Sequence, residues 1–331
     1  MSDNARSGCG KNELARTPVH FPPVLNGLDF LESTATLLSV EGDVPPRNLK
    51  YAVVHLAAAV ETLLKARLAL EDPRMVWTYS DQYDEAKHAA GAFRSVDWEE
   101  ARKRVKKECA PETELLEPRF FKALADMRNR FAHVGVTEDA RTVEVLTTPM
   151  LDFLLAFVHT DVLPLVPDDE AAGAEEAMDR IRPALGKIRP LVDQRLEHAR
   201  GLRANYILPC RVCAALAVPI NGDDTLVCVV CLHDYGTPTE AAWTYADSSE
   251  YEAVTDGGEY AVSVHEECGG PATDVPNGAA GADTEATVFL CLSCGSECAG
   301  VCGYCGQAVS AYAIPEANMC DNCLNYKMAK F

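Results

Sequence analysis

The sequence predicts two regions of different fold class, a mainly α-helical N-terminal bundle and a small zinc-stabilised, β-rich C-terminal domain. Apolar residues recur every three or four positions through the first half, which indicates amphipathic helices. Twelve of the 14 cysteines lie from Cys210 onward, mostly in C-x2-C pairs, which is typical of zinc sites. The boundaries that we expect are a disordered tail at 1–22, a helical domain at 23–167, a helical linker at 168–205 and a zinc-ribbon-like domain at 206–331.

The charge is unevenly distributed and bears on the class of partner. The net charge is −20 over 331 residues, and residues 205–331 contain 17 acidic and 3 basic side chains. A general nucleic-acid-coating surface needs a basic stripe, so any RNA contact must be local. The polar N-terminus has no apolar segment of a secretory signal, and Met150–Val166 is interrupted by Asp152, His159 and Asp161. We therefore expect a soluble, cytoplasmic protein without membrane contact.

The first two helices are predicted at Leu25–Val40 and Arg47–Glu71. The second follows Pro46 and ends before Pro73, as expected for prolines at helix boundaries. Its expected buried stripe comprises Leu49, Val53, Leu56, Val60, Leu63, Leu64 and Leu68. A shorter helical segment is expected at Asp81–Phe93.

A basic helix is predicted at Trp98–Glu108, with Asp97 at its N-cap. It contains the densest basic cluster of the chain, formed by Arg102, Lys103, Arg104, Lys106 and Lys107. A solvated helix face is the simpler interpretation. The same cluster is also the only evident electropositive surface for an RNA backbone.

The helix around which the chain is organised is predicted at Leu115–His133. Pro118 suits its first turn, and Gly135 suits a left-handed cap at its end. Its expected buried stripe comprises Phe120, Leu124, Met127 and Phe131. A short extended link at Val143–Leu146 and a closing helix at Thr148–Leu163 are expected to complete the bundle.

The last turns of this helix contain the residues that suggest chemistry. Arg128 flanks the buried stripe, where a guanidinium needs an anionic partner, and Glu61 is a candidate although it also lies four residues before Lys65. Asn129 and His133 share one face, whereas Arg128 and His133 lie about 140° apart on an ideal helix. They can act together only if the last turn bends or a second copy supplies one of them. A terminal histidine that stabilises the helix dipole is the purely structural alternative.

The segments HLAAAVETLLKARL, SVDWEEA and RNRFAH, in this order, resemble a HEPN domain over about residues 24–167. The resemblance implies a homodimeric, metal-independent endoribonuclease with a composite site, in which Arg128, Asn129 and His133 are catalytic and Glu61 and Arg130 are supporting residues. It implies cleavage by attack of the 2′-OH, which leaves a 2′,3′-cyclic phosphate, and a role as a toxin or antiviral defence effector. The alternative is a non-catalytic RNA- or nucleotide-binding regulator whose zinc domain scaffolds a protein partner.

The linker is expected to contain an amphipathic helix. Its apolar stripe comprises Met178, Ile181, Leu185, Ile188, Val192 and Leu196. Pro183 and Pro190 argue against one straight helix.

Two zinc sites follow directly from cysteine spacing. Two C-x2-C pairs separated by 14 residues are predicted to form a zinc-ribbon site, and this form occurs twice. The first site would use Cys210, Cys213, Cys228 and Cys231, and the second Cys302, Cys305, Cys320 and Cys323.

The residues between these two units leave the ligand pairing open. The simplest assignment is a third site formed by His265, Cys268, Cys291 and Cys294. A cross-braced pairing with the last unit, or Cys298 in place of His265, is equally compatible with the sequence. Gly269–Thr287 is expected to be a flexible loop, and the stretch around Trp243 and Tyr245 is β-prone.

All-cysteine sites have no open position, so we expect two or three structural zinc ions and no catalytic cofactor. The acidity of this region favours a protein partner or a sensed ligand over RNA.

Overall fold

The computed structural model describes residues 21–134, 137–199, 204–249, 251, 261–277 and 287–330. The expected disordered tail and the Gly135 cap lie outside this part of the chain, apart from the last two residues of the tail. The described helices, numbered in chain order, are α1 (Pro23–Leu38), α2 (Pro46–Glu71), α3 (Glu85–Ala89), α4 (Trp98–Arg104), α5 (Pro118–His133), α6 (Ala140–Phe157), α7 (Asp168–Leu185), α8 (Arg189–Ala199), α9 (Pro238–Tyr245) and α10 (Asp321–Met328).

Helix α2 is the centre of the helical region. All seven residues of its predicted stripe are buried. It packs along α1, where Gly27 contacts the side chain of Leu63. A Cβ added at Gly27 would lie only 2.5 Å from the Cγ of Leu63. The predicted segment Asp81–Phe93 is only partly helical, because the chain forms a 3-10 turn at Ser80–Gln82 and then the short α3.

Helices α5 and α6 differ from expectation in detail. Phe121, not Phe120, joins Leu124 and Met127 as the buried face of α5, and the ring of Phe120 is only partly buried. The predicted extended link at Val143–Leu146 is wrong, because these residues belong to α6. The buried side chains of Val143 and Thr147 continue the α6 stripe, so tertiary packing favours a helix there.

One segment, Ala140–Leu165, is long and apolar enough to cross a membrane by composition, with a mean hydropathy of 1.3. Its most apolar window is 50% buried within the protein. It comprises α6, a π-helical turn at Val158–Val162 and a 3-10 turn at Leu163–Leu165. Met150, Leu154 and Phe157 contact the rest of the helical core, so this is a core helix of the fold.

Helices α7 and α8 pack against α1 and α6 respectively. The helix is interrupted between Leu185 and Arg189, near the two prolines that argued against one straight helix. Met178, Ile181, Leu185 and Ile188 are buried in the same core as α1 and α2. Both helices are therefore integral to the packing of the bundle.

The C-terminal region consists of short antiparallel strands. These are β1 (Tyr206–Pro209), β2 (Leu216–Ile220), β3 (Ser263–Val264), β4 (Pro271–Pro276), β5 (Thr287–Cys291), β6 (Gly300–Val301) and β7 (Ala308–Val309), paired as β1-β2, β3-β4-β5 and β6-β7. Two local expectations are corrected. The β-prone stretch around Trp243 forms α9, which begins at a capping box of Thr237 and Glu240. Part of the predicted loop, Pro271–Pro276, is the central strand β4.

The hydrophobic core of the helices continues into the first ribbon. Cys210, Val218 and Cys228 belong to the same cluster of contacting buried residues as α2, α6 and α8. The later cysteine clusters have small separate cores around Cys291 and Cys302. The β3-β4-β5 sheet also reaches the helical core, through Val275, Leu290 and Leu292. Within the part of the chain that the structure describes, the bundle thus packs against the first ribbon and part of this sheet, whereas the cluster around Cys302 lies outside that core.

Candidate functional site

The first metal-ligand cluster comprises Cys210, Cys213, Cys228 and Cys231, all buried, with sulfur atoms within 4.8 Å of one another. The Cys210–Cys231 and Cys213–Cys228 sulfur pairs are each 3.7 Å apart. Four sulfurs around Zn²⁺ at about 2.3 Å stand about 3.8 Å apart at the corners of a tetrahedron. The geometry therefore fits the ion that the spacing predicts.

A common backbone turn positions these ligands. In the first pair the Ala214 N–H donates to the Cys210 carbonyl at 2.9 Å, and in the second Leu232 donates to Cys228 at 2.9 Å. The residue after each second ligand is left-handed, with φ of 62° at Ala214 and 58° at Leu232. This turn directs both sulfurs of a C-x2-C pair to one point.

Glycine occupies the same turn position in three of the four later pairs, at Gly269, Gly295 and Gly306, with φ from 73° to 75°. A glycine directly after the second ligand was a sequence signal for this turn, because glycine adopts positive φ without a steric penalty.

The second cluster comprises His265, Cys268, Cys291 and Cys294. Nδ1 of His265 lies 3.2 Å from the Cys268 sulfur and 3.5 Å from the Cys294 sulfur. The simplest of the three predicted pairings is thus the one that the fold brings together. Cys298 lies outside the cluster, and burial raises the pKa of its thiol to about 11.

The imidazole of His265 is oriented from behind. Its Nε2 lies 3.3 Å from the hydroxyl of Ser310, which donates to the carboxylate of Glu267 at 3.0 Å. A hydrogen-bonded chain of this kind fixes the ring orientation of metal-binding histidines. Burial opposes ionisation of Cys294, but hydrogen bonds with Ser296 lower the pKa of this thiol to about 7.

The third cluster is formed by Cys302, Cys305, Cys320 and Cys323, of which Cys302 and Cys320 are buried. Cys305 is exposed and Cys323 is partly exposed, and the sulfurs of Cys305 and Cys320 are 3.9 Å apart. Against the effect of burial, backbone hydrogen bonds, including one from the Cys320 N–H, lower the pKa of Cys302 to about 6. A thiol that ionises easily suits a metal ligand.

These three Cys/His clusters can hold zinc ions, and each offers four protein ligands. Four protein ligands complete a tetrahedral site, so no position is left for water or a substrate. The clusters therefore suit a structural role.

The motif residues of α5, Arg128, Asn129 and His133, do not converge on one point as the cysteine clusters do. The helix continues without a bend to His133, and the Val134 N–H donates to the Arg130 carbonyl at 3.0 Å. His133 is nine residues after the buried Leu124, so it lies about 180° away on the solvent side. Of the two ways to bring Arg128 and His133 together, a bent last turn does not occur.

Arg128 and its neighbours form a small polar network. The Arg128 side chain is 38% exposed, and its Nη2 lies 4.0 Å from the Glu61 carboxylate. Its Nη1 donates to the side-chain oxygen of Asn129 at 2.9 Å. Glu61 binds Lys65 more closely, at 2.7 Å, so its bond to Arg128 is the weaker of the two.

Arg130, predicted as a supporting residue, is oriented away from this network. Its guanidinium pairs with Glu138 at 2.5 Å, just before α6 begins. The pair connects the motif helix to α6.

The predicted RNA-backbone residues are mostly paired with acidic neighbours. Lys103 binds Glu99 and Lys107 binds Glu108, at 2.9 and 2.6 Å. Arg104 donates to Glu100 and to the backbone carbonyls of Met75 and Trp77, just after α2. The guanidinium of Arg102 stacks over Phe121, and Lys106 is exposed without an ion pair among the described residues.

Sequence reasoning missed a buried link between the helices and the first cluster. Arg195 of α8 is 7% exposed and donates to Asp152 of α6 at 2.6 Å. It also donates to the carbonyl of Val230, between two cysteine ligands, at 2.6 Å. These three residues are 35 or more positions apart in the sequence. The one available signal was therefore an arginine at a helix position that faces the core.

Comparison with models of known protein families, with curated proteins and with solved structures finds no match to this chain.

Proposed function

We propose that this chain is a homodimeric, metal-independent endoribonuclease of HEPN type that carries three structural zinc ions. The observation that supports it is the arrangement of α5, where Arg128 and Asn129 form a hydrogen-bonded pair and His133 is exposed on the same helix. The His133 side chain makes no hydrogen bond or ion pair with the described residues, so the interaction with the helix dipole is the one stabilising role that competes with catalysis. In such a dimer, His133 of one chain would meet Arg128 of the other.

The chemistry follows from these residue types. The RNA 2′-OH attacks the adjacent phosphorus, and the bond from phosphorus to the 5′ oxygen breaks. His133 takes the 2′ proton, and the imidazolium so formed is the acid for the departing 5′ oxygen. Arg128 donates two hydrogen bonds to the phosphorane oxygens, while Asn129 holds the guanidinium in place. The products carry a 2′,3′-cyclic phosphate and a 5′-OH.

The zinc ions would act on stability and on partners. The first would complete the core between α8 and the β1-β2 ribbon, and the other two would fold segments that have little core of their own. The acidity of the C-terminal region favours a protein partner there. A toxin or defence role is consistent with this combination and follows only from the resemblance.

The test is cleavage of total RNA in EDTA by the wild-type protein, His133→Ala and the control His198→Ala. His198 is also an exposed histidine near a helix end. Each protein must be shown to retain its zinc and its dimer in the EDTA buffer itself. We expect the His133 variant to lose about 10²–10⁴-fold in rate, while the control is unchanged.

The ends of the products decide the mechanism. Cyclic-phosphate ends made only with His133 present would support the composite site, and equal cleavage by all three proteins would contradict it. If all three proteins bind RNA and none of them cleaves it, the result would favour the non-catalytic regulator.

A further inference from the structure

A groove of about 550 Å³ lies beside the motif helix, between the start of α2, the end of α5 and the start of α6. Leu49, Phe131 and Val143 line its apolar part. This volume lies within the range of small-molecule sites, roughly 300–1,000 Å³. Phe131 lies three residues after Arg128 and therefore on the same side of α5, so the groove adjoins the Arg128 half of the proposed site.

The groove contains two cationic side chains that have no carboxylate partner among the described residues. Arg47 and Lys50 form no ion pair among the residues that the structure describes, and each lies 5.3 Å from the ring centre of Tyr51. Tyr51 is 37% exposed. The carboxylate in the groove, Glu138, is already paired with Arg130. The groove therefore has uncompensated positive charge around an accessible aromatic ring.

The basic helix contrasts with this groove. Lys103, Arg104 and Lys107 each have a carboxylate within 2.9 Å. A phosphate at these three residues must compete with their carboxylates, whereas a phosphate at Arg47 and Lys50 does not.

We infer that this groove is a nucleotide-binding subsite for single-stranded RNA. A phosphate binds Arg47 and Lys50, and its base lies against Tyr51 and the apolar lining. Aromatic rings next to cations bind single strands in this way, since every base can stack and every nucleotide carries a phosphate. The subsite rests on the proposed function, because it would position RNA next to Arg128 and His133.

The test measures binding of a fluorescent oligouridine of about ten nucleotides by anisotropy at several salt concentrations. The zinc-loaded full chain carries His133→Ala throughout, so that no cleavage occurs. We expect Arg47→Gln with Lys50→Gln to reduce the slope of log affinity against log salt by about 0.7, because the contact with one single-strand phosphate is lost. Tyr51→Ala should weaken binding about tenfold or more, and Tyr51→Phe should bind as before.

The matched control is Lys103→Gln with Lys107→Gln, which removes the same charge from the basic cluster of α4 and the turn that follows it. A larger effect of this control than of the groove variant would overturn the subsite. So would an absence of RNA binding, or tighter binding of a polyglutamate peptide than of the RNA.

Failure of the subsite and of the proposed function are distinguishable. RNA that is cleaved normally and bound normally without Arg47 and Lys50 overturns only the subsite. RNA that binds in the groove but is never cleaved contradicts only the nuclease.

Discussion

The first cysteine cluster and the motif of α5 use reactive side chains in opposite ways. The four cysteines are buried, contact the helical core and face one another. His133 is exposed on a regular helix and has no partner among the described residues. The four cysteines therefore contribute to the stability of the fold, whereas His133 is held at the surface without contributing to the packing. Substitutions at the first should therefore change stability, and substitutions at the second should not.

The largest effect is expected from Cys213→Ser. It should remove one zinc ion and lower the free energy of unfolding of the helices by more than about 4 kcal/mol, because the cluster belongs to their core. Zinc analysis and urea unfolding followed by circular dichroism measure both quantities. Cys305→Ser is the matched control, which should also release one ion but leave helix unfolding within about 0.5 kcal/mol of wild type. If both variants lowered the unfolding free energy of the helices equally, the first cluster would not be more closely coupled to the helical core than the third.

The next effect concerns the link through Arg195. Arg195→Met should cost about 2–3 kcal/mol, because Asp152 and the Val230 carbonyl lose a buried donor. Gln194 still donates to Asp152 at 2.6 Å, which limits the loss. Arg189→Met, on the same helix and exposed, should cost less than about 0.5 kcal/mol. A similar cost for both variants in urea unfolding would show that the link adds nothing.

A smaller effect is expected at the left-handed turns. Ala214→Gly should stabilise the protein by about 0.5–1 kcal/mol, because glycine relieves the strain of φ 62° at an exposed position. Gly306→Ala is the reverse change at φ 74°, with no atom within 4 Å of the added Cβ. It should lower the zinc affinity of the third cluster by a similar free energy, measurable by competition with a chromogenic chelator. If Ala214→Gly raised the stability and Gly306→Ala also raised the zinc affinity, the preference of this turn position for glycine would be contradicted.

The smallest effect on stability is expected at His133. His133→Ala should leave the melting temperature unchanged, because the side chain is exposed and no described residue binds it. Thermal unfolding by circular dichroism tests this. A clear decrease would indicate the structural alternative, in which the histidine stabilises the end of α5.

Local patterns in the sequence were sufficient for much of this fold. The stripe of α2 and the grouping of cysteines in the first and last clusters were predicted correctly, since each depends on spacing along one short segment. The prediction missed Phe121, whose burial depends on contacts with Trp98 and Phe153 from other helices. It also placed Val143–Leu146 in an extended link, because β-branched residues there have weak helix propensity that packing overrides.

The candidate site was predictable as a set of residue types but less so as an arrangement. The angle between Arg128 and His133 followed from helix geometry alone. Whether the last turn bends, and which cations already have carboxylate partners, depends on residues distant in sequence. The pairing of His265 with the middle cysteines was open for the same reason, because β3-β4-β5 brings those ligands together.

The composite site is tested most directly by mixing two inactive variants, Arg128→Ala and His133→Ala. In a mixed symmetric dimer, one of the two sites combines the intact Arg128 of one chain with the intact His133 of the other. The proposal predicts that each variant alone does not cleave RNA and that the exchanged mixture recovers roughly a quarter of wild-type activity. An inactive mixture, with dimer exchange verified, would contradict a site shared between two chains.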